Sequence, residues 1–166
     1  MTGRVAVAAA AVVITAVGVL VDAPRVVAEP VAPRQDMPCP EDLSGALTQL
    51  PDQRTILQCQ LQGGERRWRG FSSPYPKSDR WLTYGPAVTL HGEGRPNREV
   101  DSGEWIAYPQ EPEGQCEARQ RAVVAAGVLS PVQTSTSKPD QPMTFQMLPL
   151  LFTVELQGNC LWQRVQ

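Results

Sequence analysis

Residues 5 to 21, VAVAAAAVVITAVGVLV, form an uncharged apolar run behind the basic lead MTGR. A buried soluble helix is a poor reading of it, because nothing polar marks a solvent face and an all-round apolar helix needs a core on every side. The run reads as an export segment: Arg4 supplies the positive lead, and Asp22 and Pro24 end any helix behind it. Two fates are open. Cleavage fits best after Val26-Val27-Ala28 and before Glu29, since Ala23 and Ala32 are each followed by proline, although Arg25 counts against that site. If retained, the 17 residues make a helix of about 26 Å, slightly short of the roughly 30 Å hydrocarbon core, and serve as a single N-terminal transmembrane anchor. Cys39 lies too far downstream for lipoprotein processing.

Everything behind that segment folds where thiols oxidise. All four cysteines, Cys39, Cys59, Cys116 and Cys160, lie there, an even set in a disulfide-permissive compartment. Four cysteines allow three pairings, and the favoured one is Cys39–Cys59 with Cys116–Cys160. The first would tie a short helix to the strand it packs on, and the second would join two strands of the C-terminal half. Zinc is the rival use of these thiols. It is disfavoured, because no CxxC occurs and His91 is the single histidine. Neither a metal nor a cofactor is expected.

The domain organisation follows: 1–28 as signal peptide or uncleaved anchor, 29–38 as a proline-rich tether, and 39–166 as one disulfide-stabilised β-rich domain. With 16 prolines and 13 glycines the chain has many turns and little room for long helices. In CPEDLSGALTQLPD, Pro40 suits a first helical position, and Leu43, Ala46, Leu47 and Leu50 recur at helical spacing. This predicts one short helix over 41–50. Leu57, Cys59 and Leu61 alternate with three glutamines and lead into Gly63-Gly64, a hairpin signal that sets Trp68 opposite Arg67 and Arg69. Residues 72–86 read as a long, partly structured loop, 87–91 and 104–108 as strands, and 116–124 as a strand with a competing helical reading. PVQTSTSKPDQP reads as a polar loop. The last 24 residues predict a terminal hairpin turning at Gly158-Asn159, with Pro149 marking a bulge or an edge in its first arm.

The net charge of −2 gives no footprint for nucleic acid. One interval departs from it. Residues 65–84 carry Arg66, Arg67, Arg69, Lys77 and Arg80 among Trp68, Phe71, Tyr75, Trp81 and Tyr84. Guanidinium groups bind phosphate or carboxylate, and aromatic faces stack on sugars or cations. The candidate ligand surface is therefore Arg66, Arg67, Trp68, Arg69, Tyr75, Arg80, Trp81 and Tyr84, facing an anionic cell-wall polymer, a lipid headgroup or an envelope protein. The competing reading packs the aromatics as core while the arginines reach outward, answering the acidic stretch 99–117. That stretch holds Glu99, Asp101, Glu104, Glu111, Glu113 and Glu117 with no basic residue among them. Any nucleophilic mechanism would run through His91, and a glycosidase would need two of these acids across a cleft. No phosphate-loop or dinucleotide motif occurs.

GEWIAYP at 103–109, GQCEARQ at 114–120 and the closing LFTVELQGNCLWQRV, with Cys160, Trp162 and Arg164 as Cys-x-Trp-x-Arg, resemble exported proteins of unknown function in high-GC actinobacteria. The resemblance covers the leader and the C-terminal third. It implies location and architecture, and no activity. The expectation is thus a mainly β domain, a small antiparallel sandwich or partly open barrel with one short helix. Its role would be binding or structural support in the cell envelope or outside it. The alternatives are a small secreted hydrolase using His91 or paired acids, and a membrane-tethered accessory subunit of an envelope complex.

Overall fold

The computed structural model describes residues 30–165, so the export segment and its cleavage site lie outside the described residues. Ten strands account for nearly all the regular structure: β1 (Leu47–Gln49), β2 (Ile56–Gln62), β3 (Glu65–Gly70), β4 (Arg80–His91), β5 (Gly103–Pro109), β6 (Glu117–Ala125), β7 (Val128–Leu129), β8 (Gln133–Thr136), β9 (Met143–Met147) and β10 (Leu151–Arg164). The sheet is mixed and not closed. β1 runs parallel to β4 through Leu47 and Trp81, whereas the other pairings are antiparallel. No helix among the described residues is long and apolar enough to cross a membrane.

The organising strand is β10. Along one side it pairs with β4 from Thr153↔His91 to Gln163↔Arg80; along the other it pairs first with β6 (Leu151 to Gln157) and then with β5 (Cys160 to Arg164). The sheet forks at Gly158, where the β4 register also slips. Gly158 has φ 101°, and a Cβ there would lie 2.1 Å from the Gln115 carbonyl oxygen, so only glycine lets the chain approach this closely. The expected terminal hairpin is therefore one continuous strand: Gly158-Asn159 serves as a bulge, not as a turn. Pro149 lies in the turn between β9 and β10.

The expected 41–50 helix is also corrected. Its residues make a single 3₁₀ turn, Glu41–Leu43, followed by β1. Gly45, at φ 77°, breaks the helical path, and Gly45 N–H and Ala46 C=O bond instead to Cys59 of β2. Ala46 and Leu47 then face opposite sides of a sheet, although helical spacing had put them on one stripe. The 72–86 loop is shorter than expected, because Arg80 to Pro86 belong to β4; the polar loop 131–142 contains β8. For 116–124 the strand reading holds and the helix does not.

Two apolar clusters lie on opposite faces of the β4–β10 pair. Trp81, Cys160 and Trp162 point into the larger one with Trp105, Phe145, Met147 and Leu151; the alternate residues Leu82 and Leu161 point into the smaller one with Cys39, Leu43, Leu57, Cys59 and Trp68. Trp162 meets Phe145 edge to face at 5.9 Å and donates its indole N–H to Thr83 Oγ1 at 2.9 Å. The branches of the fork are tied by a buried side chain: Gln120 of β6 donates to the Gln146 carbonyl and accepts from Leu148 N–H, at 2.9 and 3.0 Å.

Candidate functional site

Both disulfides join the expected partners, Cys39–Cys59 and Cys116–Cys160, and no free cysteine remains among the described residues. Paired thiols of this kind point to an oxidising, extracellular environment. Cys116–Cys160 sits at the fork, beside the close approach of Gln115 to Gly158. Cys39–Cys59 fastens the 3₁₀ turn to β2. The segment before it is no free tether: Pro33 is buried, Asp36 N–H donates to Trp68 C=O, Trp68 N–H donates to Met37 C=O, and Pro38 bridges to Arg67. This strap covers the outer edge of β3.

The arginine and aromatic interval does not assemble into an exposed platform. Trp68 is buried in the smaller cluster and Trp81 in the larger; Tyr84 is buried too and donates its hydroxyl to Gln49 C=O at 3.0 Å. Burial, with Asp52 nearby as the smaller cause, raises the Tyr84 hydroxyl above its ordinary pKa. Tyr75 alone of the four aromatics is well exposed. The arginines have local duties. Arg66 pairs with Glu41 at 3.0 Å, Arg67 with Glu65 at 2.7 Å and with the Asp36 carbonyl, Arg69 with Asp36, and Arg80 with the Asp42 carbonyl. They clamp the strap and the 3₁₀ turn onto β3 and β4. Period-two alternation already contained this outcome, since Trp68 faces away from Arg67 and Arg69 on a strand; for Trp81 and Tyr84 the missing signal was that β4 begins at Arg80.

His91 ends β4. Its Nδ1 lies 3.2 Å from Glu99 Oε2, the same oxygen that accepts its backbone N–H at 2.9 Å. Burial raises the Glu99 carboxyl above the usual carboxylate range, against the opposing pull of the His91 amide and of the His91 and Arg95 charges. Such a pair can orient an imidazole, but among the described residues no hydroxyl or thiol hydrogen-bonds that ring. Asp101 of the acidic stretch is surrounded by cations: Lys77 at 2.7 Å, Arg98 at 3.0 Å and Arg164 at 3.8 Å. Glu117 pairs with Arg119 at 2.6 Å. Among the described residues no three His, Cys, Asp or Glu side chains group as metal ligands.

A broad concavity lies elsewhere, on the outer face of β4, β10, β6 and β8, with a volume of about 510 Å³. The registers explain its lining. Thr89, Glu155, Arg119 and Thr134 stand in one cross-strand row, and His91, Thr153 and Arg121 start the next, while Leu90, Val154 and Gln120 between them turn inward. A smaller hollow, lined by Glu117, Thr136 and Gln157, continues past Arg119. Sequence reasoning missed this trough. Its residues are scattered over three strands and a segment read as loop, so only register could bring them together. No family model, no curated protein and no solved structure matches the chain.

Proposed function

We propose that the protein is an exported binding module of the cell envelope and that it takes an anionic, hydroxyl-rich polymer along the outer face of β4, β10, β6 and β8. The carrying observation is the trough, where Arg121 stands beside the hydroxyl of Thr153 and next to the Thr89–Glu155–Arg119–Thr134 row. Arg121 has no ion-pair partner among the described residues, so its guanidinium is available to a carboxylate or phosphate. Threonine hydroxyls and Glu155 supply donors and acceptors for sugar hydroxyls. Arg66, Arg67, Arg69 and Arg80 already have partners, and they take a structural role in this reading.

The apolar segment at 5–21 supports export, and the disulfides suit the destination. The test is binding of the full chain to isolated cell-wall polymer across a salt series. Arg121→Ala is expected to weaken binding at least about tenfold, the range of a lost charge-assisted hydrogen bond, and wild-type affinity is expected to fall as salt rises. Binding that ignores both the substitution and the salt would remove this reading.

A further inference from the structure

The trough ends at a feature of opposite character. From Ala122 to Leu129 the chain reads AVVAAGVL, eight residues without a polar side chain. They form the β6–β7 hairpin, paired through Val123↔Leu129 and Ala125↔Val128. Turns in water use Asn, Asp, Ser or Gly with polar flanks, and this one has glycine alone. Its tip is exposed: Val124 at 62% and Val128 at 51%, with Ala125 and Ala126 also in solvent. Leu150, exposed at 57%, joins them, because Val123 N–H donates to its carbonyl at 2.9 Å. Gly94 fits against the same place, where a Cβ would lie 2.5 Å from the Leu150 oxygen and 2.9 Å from Val123. Gly94 brings Arg95, whose guanidinium stands 5.0 Å over the Phe152 ring. Arg121 lies two residues before Val123 on β6, on the same face of the strand. Neither Arg95 nor Arg121 has an ion pair among the described residues.

We propose that this tip, Val124, Val128 and Leu150 framed by Arg95 and Arg121, docks on the surface of an anionic lipid bilayer. The features are those of an interfacial contact: a protruding apolar end to enter the acyl boundary and basic groups at headgroup level. Chain geometry permits it. The apolar segment ends at Val21 and the described residues begin at Pro30, nine steps that reach about 30 Å at full extension. A retained anchor would thus leave the domain close enough to the same bilayer for the tip to touch it. A protein partner at the tip is the competing occupant, and a quencher placed in the lipid separates the two.

The test uses the full chain in vesicles of phosphatidylglycerol and phosphatidylcholine, with an environment-sensitive dye at Ala126→Cys or, as control, at the exposed Ser72→Cys. Spin-labelled lipid is the quencher. Quenching at 126 is expected to exceed that at 72 by about threefold or more, to fall when phosphatidylglycerol is replaced by phosphatidylcholine, and to fall again with Arg95→Glu and Arg121→Glu. Val124→Ser with Val128→Ser should lower it with both disulfides intact by mass. Equal quenching at the two positions, or quenching indifferent to lipid charge, would overturn the proposal. Polymer binding by the trough is read separately, so either idea can fail alone.

Discussion

The two apolar clusters share the β4–β10 pair as a common wall and differ in how the rest is assembled. The smaller is local. Apart from Leu82 and Leu161 it draws on residues 39–68, and its disulfide closes 20 residues of chain. The larger gathers residues from 47 to 162, and its disulfide closes 44. One sheet thus carries a cooperative body on one face and a strapped annex on the other, and each has its own sulfur link. The longer closed loop gains more from its link on the chain-entropy model, and apolar burial is also heavier there, where distant strands converge.

Truncating one tryptophan in each cluster separates them most sharply. Trp162→Ala removes a fully buried ring, its edge contact with Phe145 and the donor to Thr83, and is expected to cost about 3–5 kcal/mol in denaturant unfolding, with faster amide exchange throughout the sheet. Trp68→Ala should cost less, about 2–3 kcal/mol, because it borders a hollow of about 240 Å³ beneath the strap that lets the site settle. Its exchange changes should stay within residues 36–70. If both substitutions raise exchange everywhere, the annex is no separate unit.

Removing the disulfides one at a time comes next. On the chain-entropy model, replacing Cys116 and Cys160 by alanine costs about 4 kcal/mol and replacing Cys39 and Cys59 about 3 kcal/mol. The informative readout is place: protease sensitivity should appear in the strap and 3₁₀ turn after the second change, and at the fork after the first. Four alkylatable thiols in wild-type protein prepared without reductant would contradict the oxidised state of both clusters.

The smallest effect concerns the turn that leads from β1 to β2. Asp52 accepts from the Thr55 hydroxyl at 2.5 Å, from Thr55 N–H at 2.8 Å and from Arg54 N–H at 3.0 Å. These bonds, the Thr55 hydroxyl first, lower its pKa from 3.8 to about 2. A carboxylate lowered on folding adds stability that is fully present above pH 3.8 and is lost as pH falls through about 2. Asp52→Asn should therefore lower Tm slightly at pH 6, and the gap from wild type should close near pH 2. A gap that stays constant across that range would show that the turn, not the charge, sets the effect.

The local features of this fold were legible in the sequence. Period-two alternation located β2, β3 and β5, Gly63-Gly64 located the tight hairpin, and the favoured cysteine pairs are the observed ones although the helix argued for the first is absent. Long-range features were not. Leu43, Ala46 and Leu47 imitate a helical stripe, and only the bonds from Gly45 and Ala46 to Cys59 decide for a strand. Gly158-Asn159 has the composition of a turn, and the nearness of Gln115 turns it into a bulge. The expected ligand surface failed for a related reason: burial of Trp81 and Tyr84 depends on which strands flank β4, and the trough depends on three registers at once.

Because β10 pairs with β4, β5 and β6, its place in chain order has a biosynthetic consequence. A polypeptide emerging from its amino end can close the Cys39–Cys59 link early, while Cys116 waits unpaired for the passage of 44 further residues. During that interval β4, β5 and β6 show unsatisfied edges, and the two tryptophans Trp81 and Trp105 lack Trp162 to pack on. A chain folding in that order thus passes through a half-oxidised, sticky state that lasts until the closing strand arrives.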